Sequence, residues 1–316
     1  KRQQINKIKQ LITHSKEVVL ATDDDREGEA ISWHICQLFD LSITNTKRII
    51  FHEVTKSAII KAINNPTVLN MSIVNAQLGR QILDLIVGYK ISPILWEQIS
   101  RTMKLSAGRC QTPALRLVYE NYIDINNSPG TKSYNTTGYF TDKNLPFILN
   151  YNYDNEDKMV EFLEMTTEHD HILTCDKPKD SIRKSPQPFT TSTLQQTSSN
   201  ELHISPKDTM QICQKLYEGG YITYMRTDSK IYSKEFIGKA KDYIKENYGN
   251  EFINKDIESL SERDKKPTKS KKKKEENKAQ EAHEAIRPTD IIRTPRSVKK
   301  YLSPDQNKLY DLIWSR

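Results

Sequence analysis

The stretch from Glu17 to Phe39, EVVLATDDDREGEAISWHICQLF, decides how this chain is read. EVVLA (17–21) is a short β-branched apolar run and DDDREGE (23–29) is polar throughout. Ile31, Ile35, Leu38 and Phe39 then follow at helical spacing, so strand, loop and amphipathic helix make a βα unit. RIIF (48–51) followed by TKSAIIKAI (55–63) repeats the alternation and predicts a parallel α/β sheet. Asp23, Asp25 and Glu27 stand at i, i+2 and i+4 on the carboxyl edge of the first strand, where open α/β sheets bind ligands. Three carboxylates forced together repel unless a cation joins them. Hard oxygen ligands with room for water suit Mg²⁺, which commonly bridges one or two carboxylates to a phosphate. Gly28 lets the backbone turn closely, and Arg26 can face the same phosphate. A solvated acidic loop is the competing reading; the strand before it and the helix after it argue for the site.

Outward from this unit, residues 75–116 read as helical, broken by Pro93 and by a loop from Arg101 to Thr112. From Tyr134 to Tyr153 the period changes to two. Tyr134, Thr136, Gly138 and Phe140 alternate, as do Phe147, Leu149, Tyr151 and Tyr153 after the turn residues 142–144, so an antiparallel hairpin opens a second domain near residue 130. Ser205-Pro206-Lys207-Asp208 is a helix start, with a Ser cap, Pro in the first turn and an acid where a capping box places one. Gly219-Gly220 ends that helix. YITYMRTDS (221–229) then places Ile222, Tyr224 and Arg226 on one face of an extended segment, and Thr227-Asp228-Ser229 offers caps for a following helix.

Several of these segments carry residues suited to a phosphodiester. Tyr224 and Arg226 share a face between a helix stop and a cap. A phenol attacking a phosphodiester exchanges one phosphoester for another, so the break is reversible without ATP. Arg226 would stabilise charge on the phosphoryl oxygens. Ser106, Ala107, Gly108, Arg109, Cys110 and Gln111 precede Pro113 and a helix marked by Leu115, Val118 and Tyr122, which suits a phosphate site; an ordinary capped helix is the alternative. Arg80 and Asp84, one turn apart, read as a surface ion pair of little energetic weight. Tyr89 and Trp96 can stack on bases or pack in a core. His283 and Arg287, one turn apart in QEAHEAIRP, can contact another phosphate, against a structural histidine at a helix end.

At 316 residues the chain is long enough for two or three domains, and 15 Tyr, 8 Phe and 3 Trp give it the means to bury a core. No apolar run approaches the roughly 18 residues that cross a bilayer, and no signal-peptide pattern opens the chain. It reads as soluble and intracellular. The net charge of +7, from 48 basic and 41 acidic residues, invites a nucleic-acid reading. Yet residues 255–300 hold 15 Lys/Arg against 9 Asp/Glu, six of those seven charges. KPTKSKKKKEENK (266–278) therefore reads as a solvated, mobile loop rather than a specific site. Cys36, Cys110, Cys175 and Cys213 lie far apart with no CxxC pair, which argues against a zinc cluster and a disulfide framework.

In this order ATDDDREGEAISWH, FHEVTKSAI, VNAQLGRQILDLIVGYKISPILW, LSAGRCQTPALRLVYE, PFTTSTLQQTSS, LYEGGYITYMRTDS and QEAHEAIRPTD resemble the type IA DNA topoisomerases, in particular the bacterial topoisomerase I branch. The resemblance implies a multidomain fold, an incomplete toroid with α/β, α and β parts. These are a Toprim α/β sheet over 1–71, the first part of a helical DNA-binding domain over 72–128, the first part of a β-rich arch over 129–184, and an α/β nucleophile domain over 185–316 with a disordered Lys-rich insertion at about 262–278. It implies Mg²⁺ on Asp23, Asp25 and Glu27, with Glu27 also catalytic, and Tyr224 as the nucleophile that becomes linked to a 5′-phosphate beside Arg226. Arg80, Gln81, Asp84, Tyr89, Trp96 and the loop Ser106 to Gln111 would grip the strand upstream of the break, and His283 would engage DNA and support cleavage.

The expected activity is ATP-independent, Mg²⁺-dependent relaxation of negatively supercoiled DNA at single-stranded regions, by a monomeric intracellular enzyme that is cytoplasmic and, if bacterial, nucleoid-associated. In the family a Glu and a Lys essential to the chemistry lie on the first Toprim strand, which would precede Lys1, and Arg316 comes before the returning halves of the arch and helical domains. The chain is expected to be cut from a longer enzyme and to cleave poorly alone. Cys110 and Thr112, where relatives often have Val and Ser, are conservative changes. Two other readings stay open: a single-stranded DNA-binding, non-cleaving fragment or degenerate homologue, and another Toprim enzyme such as a primase or nuclease, which the Tyr224 and His283 segments disfavour.

Overall fold

The computed structural model describes residues 2–101, 104–181, 185–261 and 284–316; the expectations for the lysine-rich stretch and for His283 lie outside the described residues. The chain divides into two compact units, one formed by residues up to Gln81 together with those from 184 onward, the other by residues 82–183.

The first unit opens with α1 (Arg2–His14), β1 (Val19–Leu20) and α2 (Arg26–Leu38), followed by β2 (Lys47–Arg48) and α3 (Lys56–Asn64). β1 pairs with β2 in parallel, Val19 opposite Lys47 and Leu20 opposite Arg48, as the repeated strand–helix alternation predicts. The strands are shorter than the apolar runs suggest: β2 ends at Arg48, which also bridges Thr67 in the antiparallel sense, and beyond it the Ile49 amide still donates to the Leu20 carbonyl. Leu20, Cys36 and Leu69 form a small core between sheet and α2, with Trp33 and Ile35 packed against it. Helix α4 (Met71–Gln98) runs through Pro93, where the sequence predicts a break. The ring removes one amide donor, a local penalty of about 3 kcal/mol, set here against a helix of 28 residues.

In the second unit α5 (Gln111–Asn127) has no buried side chain; Leu115, Val118 and Tyr122 are all more than half exposed. The hairpin is where the period-two pattern places it. β3 (Thr137–Tyr139) pairs antiparallel with β4 (Pro146–Ile148), extended by a Tyr134–Tyr153 bridge, and Asn144 supplies the left-handed turn residue at φ 48°. Helix α6 (Glu156–Thr167) follows, capped by Asn155.

The chain then returns to the first unit with α7 (Thr191–Leu202), α8 (Pro206–Glu218), α9 (Lys234–Asn247), the short α10 (Pro295–Val298) and α11 (Pro304–Ser315). Ser205 caps α8 by accepting from the Asp208 amide, with Pro206 in the first turn, and Gly220 at φ 71° carries the chain out of its end. Helices α7, α8 and α11 pack together around Leu194, Leu216, Leu309 and Tyr310, all fully buried. Each such leucine stabilises the unit by roughly 1.5–3 kcal/mol. Against this core lie three extended segments, held by bridges between Phe189 and Ile286 and between Ile222 and Pro288. Thr227-Asp228-Ser229 does not cap a helix. The Thr227 amide donates to Thr191 Oγ1, the chain stays extended to Ile231, which accepts from Ala285, and the next helix begins only after Ser233. The Thr227 and Ser229 hydroxyls accept the Ser229 and Ile231 amides in local turns, so their capping capacity is spent before a helix can start. Among the described residues no helix is long and apolar enough to cross a membrane.

Candidate active site

The acidic loop begins where β1 ends. Asp25, with extended backbone, caps α2 by accepting the Gly28 amide on Oδ1 at 2.7 Å. Thr22 Oγ1 donates to the Gly28 carbonyl and lies 2.7 Å from Ser32 Oγ, tying the loop to the helix it starts. A Cβ on Gly28 would lie 2.1 Å from the Asp23 carbonyl oxygen, so only glycine allows this fold-back.

Beneath the loop is a charged pair that the sequence reading passed over. Arg48, 1% exposed, donates from Nε to Glu29 at 2.5 Å and from Nη2 to the Asp23 carbonyl at 3.1 Å. The other Glu29 oxygen accepts the Asn70 amide. A charge opening an apolar run and an acid at the inner start of an amphipathic helix were the available signals. Burial of both is tolerable because each charge is matched and hydrogen-bonded.

Tyr224 reaches the loop from the far end of the chain. Its amide donates to the His52 carbonyl at 2.8 Å, its ring meets Tyr217 edge-on at 5.2 Å, and its hydroxyl donates to Asp25 Oδ2 at 2.5 Å. Arg226 Nη1 lies 3.1 Å from the same oxygen, so the shared face predicted for Tyr224 and Arg226 converges on one carboxylate. Burial, followed by the hydrogen bond to Asp25 and the nearby carboxylates, raises the Tyr224 pKa well above its ordinary value. The phenol is neutral at physiological pH. Tyr217 is pushed up likewise, first by burial and then by Asp23, Asp24 and Asp25. Asp24 pairs with His52 Nε2 at 2.7 Å.

Asp23 is held above the usual carboxylate range, first by desolvation and then by the charge of Asp25. Glu27 instead lies 3.5 Å from Arg80. Among the described residues no group of three or more His, Cys, Asp or Glu is arranged to hold a metal ion. Asp23 and Asp25 are oxygen donors of the kind a hard cation takes, and a divalent charge there would relieve the repulsion between them. An open groove of about 810 Å³ runs past Asp23, Asp25 and Glu27, and Lys207, Gln211 and Arg226 line it with cationic and amide donors.

The remaining candidates fall in different places. Arg80 and Asp84 do not pair with each other. Arg80 faces Glu27, while Asp84 takes Arg109 in a two-point pair at 3.0 and 3.3 Å. Gln81 is exposed. In the second unit the loop before α5 is tied back on α4: Trp96 donates to the Leu105 carbonyl and the Ala107 amide to Ser92. The Gly108 amide is taken by Thr112 and Gln111 reaches Ser106, while Cys110, at the cap position, makes no side-chain cap bond. Tyr89 is 78% exposed, free of any core. Arg287, expected at a phosphate, is buried between carboxylates.

Residues 68–316 match the model of a family described as DNA topoisomerase, and residues 1–54 match that of the Toprim domain. Among solved structures the chain is similar to full-length topoisomerase I from Thermotoga maritima, at 36% identity and a TM-score of 0.77. That match covers 99% of this chain and 50% of the relative, so the chain spans about half its length.

Proposed function

This chain belongs to the DNA topoisomerase family, and on that premise we propose that it carries the strand-cleaving machinery of a type IA enzyme that relaxes negatively supercoiled DNA with Mg²⁺ and without ATP. The observation that carries this reading is the convergence of the Tyr224 hydroxyl and the Arg226 guanidinium on Asp25. A neutral phenol is a weak nucleophile and needs an acceptor for its proton in reach. Asp25 is in hydrogen-bond contact with that proton. The Tyr224 oxygen attacks phosphorus, its proton passes to Asp25, and a P–O(Tyr) bond forms as the P–O3′ bond breaks, the 3′ oxygen leaving with a proton from solvent. Arg226 offsets charge on the phosphoryl oxygens as it spreads in the transition state. Reversal of the same steps after strand passage reseals the strand.

Asp23, Asp25 and Glu27 would hold a divalent cation, which would supply positive charge to the phosphate. Arg80, Gln81, Asp84, Tyr89, Trp96 and the 106–111 loop grip single-stranded DNA, cations on phosphates and aromatics on bases. His283, in the nucleophile domain by sequence, engages DNA and supports cleavage. The protein acts as an intracellular monomer on single-stranded regions that underwinding exposes.

A denaturing gel of 5′- and 3′-labelled single-stranded oligonucleotide with Mg²⁺, run with the full-length protein that contains this chain, tests the proposal. The expected product is a covalent adduct on the downstream fragment, absent from Tyr224→Phe. Shifted but uncut DNA would select instead a binding module that holds the strand without cutting it.

A further inference from the structure

Behind the extended segment that presents Tyr224 lies a cleft of about 560 Å³, bounded by the 50–53 segment, α3, α9 and the 284–289 segment. Thr223 faces it, as the alternation of an extended segment requires of the residue next to Tyr224. Arg287, only 6% exposed, lines the cleft and is held by neighbouring groups of the protein. Nε donates to Glu284 at 2.6 Å, Nη1 donates to the Pro288 carbonyl at 3.0 Å, and Nη2 lies 3.2 Å from Glu53 Oε2 and 3.5 Å from Ser233 Oγ. Its carbon sits 4.5 Å over the Phe236 ring. A guanidinium held this way is not presented to a phosphate.

The backbone around Arg287 closes a circuit. The Thr223 amide donates to the Arg287 carbonyl at 2.9 Å, and the Arg287 amide donates back to Thr223 Oγ1 at 3.0 Å. On the other side Glu53 adjoins His52, whose carbonyl accepts the Tyr224 amide. Thr55, the cap of α3, fixes the second Glu53 oxygen at 3.0 Å. The segment that carries the nucleophile is therefore bonded in front to His52 and behind to Arg287, and the Glu53–Arg287 ion pair joins those two supports.

We propose that Glu53 and Arg287 are positioning residues, forming an ion-pair clamp behind Tyr224 that fixes the nucleophile's backbone against the segment following β2 and so sets the hydroxyl on Asp25. The inference rests on the cleavage reading only for its kinetic consequence; the clamp itself is a property of the fold. A loose support displaces the nucleophile, and small misplacements of a reacting atom lower rate more than affinity.

The test uses the full-length protein containing this chain, with Glu53→Gln, which removes the charge and keeps the shape, and Glu53→Asp, which keeps the charge. In single-turnover cleavage of an excess-enzyme oligonucleotide, the rate constant of adduct formation falls about tenfold or more in Glu53→Gln, with the half-saturating DNA concentration within about twofold, and Glu53→Asp recovers most of the rate. A merely structural role would lower the amplitude, through a smaller folded fraction, and leave the rate constant unchanged; that result overturns the clamp. So does an unchanged rate with DNA affinity lost, which would return Arg287 to a phosphate contact. Amide exchange is the second arm, and it does not depend on catalysis. Exchange across residues 222–226 accelerates in Glu53→Gln and recovers in Glu53→Asp, whereas protection equal to the parent protein's refutes the clamp even if the parent protein forms no adduct and the cleavage reading has failed.

Discussion

The Tyr224 hydroxyl donates to Asp25 Oδ2 at 2.5 Å across 199 residues of sequence, and that same carboxylate caps the helix that begins the site. The proton acceptor is thus fixed by secondary structure. Asp25→Asn keeps a capping oxygen but loses the charge that takes the proton. Adduct formation on single-stranded oligonucleotide is expected to slow by about 10²-fold or more, in the range of general-base contributions, with stability changed by under about 1 kcal/mol. A variant as fast as the parent would place the proton acceptor elsewhere.

The buried phenol has a stability signature in pH. Its folded-state pKa lies above the ordinary value of 10, first because of burial, so the folded chain holds this proton more tightly than the unfolded one. The contribution is present in full below pH 10 and is lost as pH rises beyond it. Melting temperatures taken between about pH 9 and 11 should fall less steeply for Tyr224→Phe than for the parent, while Tyr217 and Tyr310 keep their own alkaline losses in both.

Glycine at two positions separates a steric need from a helix preference. Gly28→Ala places a methyl carbon 2.1 Å from the Asp23 carbonyl and must push the acidic loop outward. A loss of about 1–3 kcal/mol in urea unfolding is expected, together with slower cleavage. Gly79→Ala meets nothing within 4 Å on α4 and should stabilise by up to about 1 kcal/mol. Equal effects of the two changes would contradict the loop geometry.

Removing Arg48 leaves Glu29, 4% exposed, without its counter-charge. Arg48→Ala is therefore expected to lose about 3–5 kcal/mol, and Arg48→Met with Glu29→Gln to lose clearly less than the sum of the single changes. Chemical denaturation of the four proteins of this cycle measures the coupling, and a coupling near zero would remove the pair as the support of the Asp23 carbonyl.

Asp23 and Asp25 raise a separate expectation for Mg²⁺. Asp23→Asn removes one of two mutually repelling carboxylates, so the chelator-treated variant should melt above the parent at neutral pH. Millimolar Mg²⁺ should then raise the parent's melting temperature and move the variant's less. If Mg²⁺ shifts neither melting curve, the assignment of a hard cation to these oxygens fails.

What was legible in the sequence follows the range of the interaction concerned. The hairpin and the capped start of α8 were readable because periodicity and caps are written over neighbouring residues; the βα unit was readable as strand and helix, but the face of α2 was not, since Ile31 and Leu38 are more than half exposed and Ala30, Ser32 and Cys36 are buried instead. Tyr224 and Arg226 were readable as sharing a face, though not that Asp25 would receive them both. Helical spacing made Arg80 and Asp84 neighbours and gave no information on competitors, so the actual partners, Glu27 and Arg109, were not visible. Thr227-Asp228-Ser229 has the composition of a cap, but the Thr227 main chain is bonded to Thr191 at the start of α7 and the Thr227 and Ser229 hydroxyls close local turns, contacts that composition does not show. The Arg48–Glu29 pair was missed because a charged residue beside an apolar run looks solvated until its partner's burial is known.

Gly220 sits with its α-carbon so close to the Val54 carbonyl that a side chain there would lie 2.5 Å from it. Just beyond, the Tyr224 amide meets the His52 carbonyl. Along this line main chain meets main chain at Gly220, while the Val54 side chain packs against the core that holds Ile222 and Tyr224. The close approach leaves the backbone there no slack, so any residue larger than glycine at position 220 would lift the start of the nucleophile's segment off the chain that supports it.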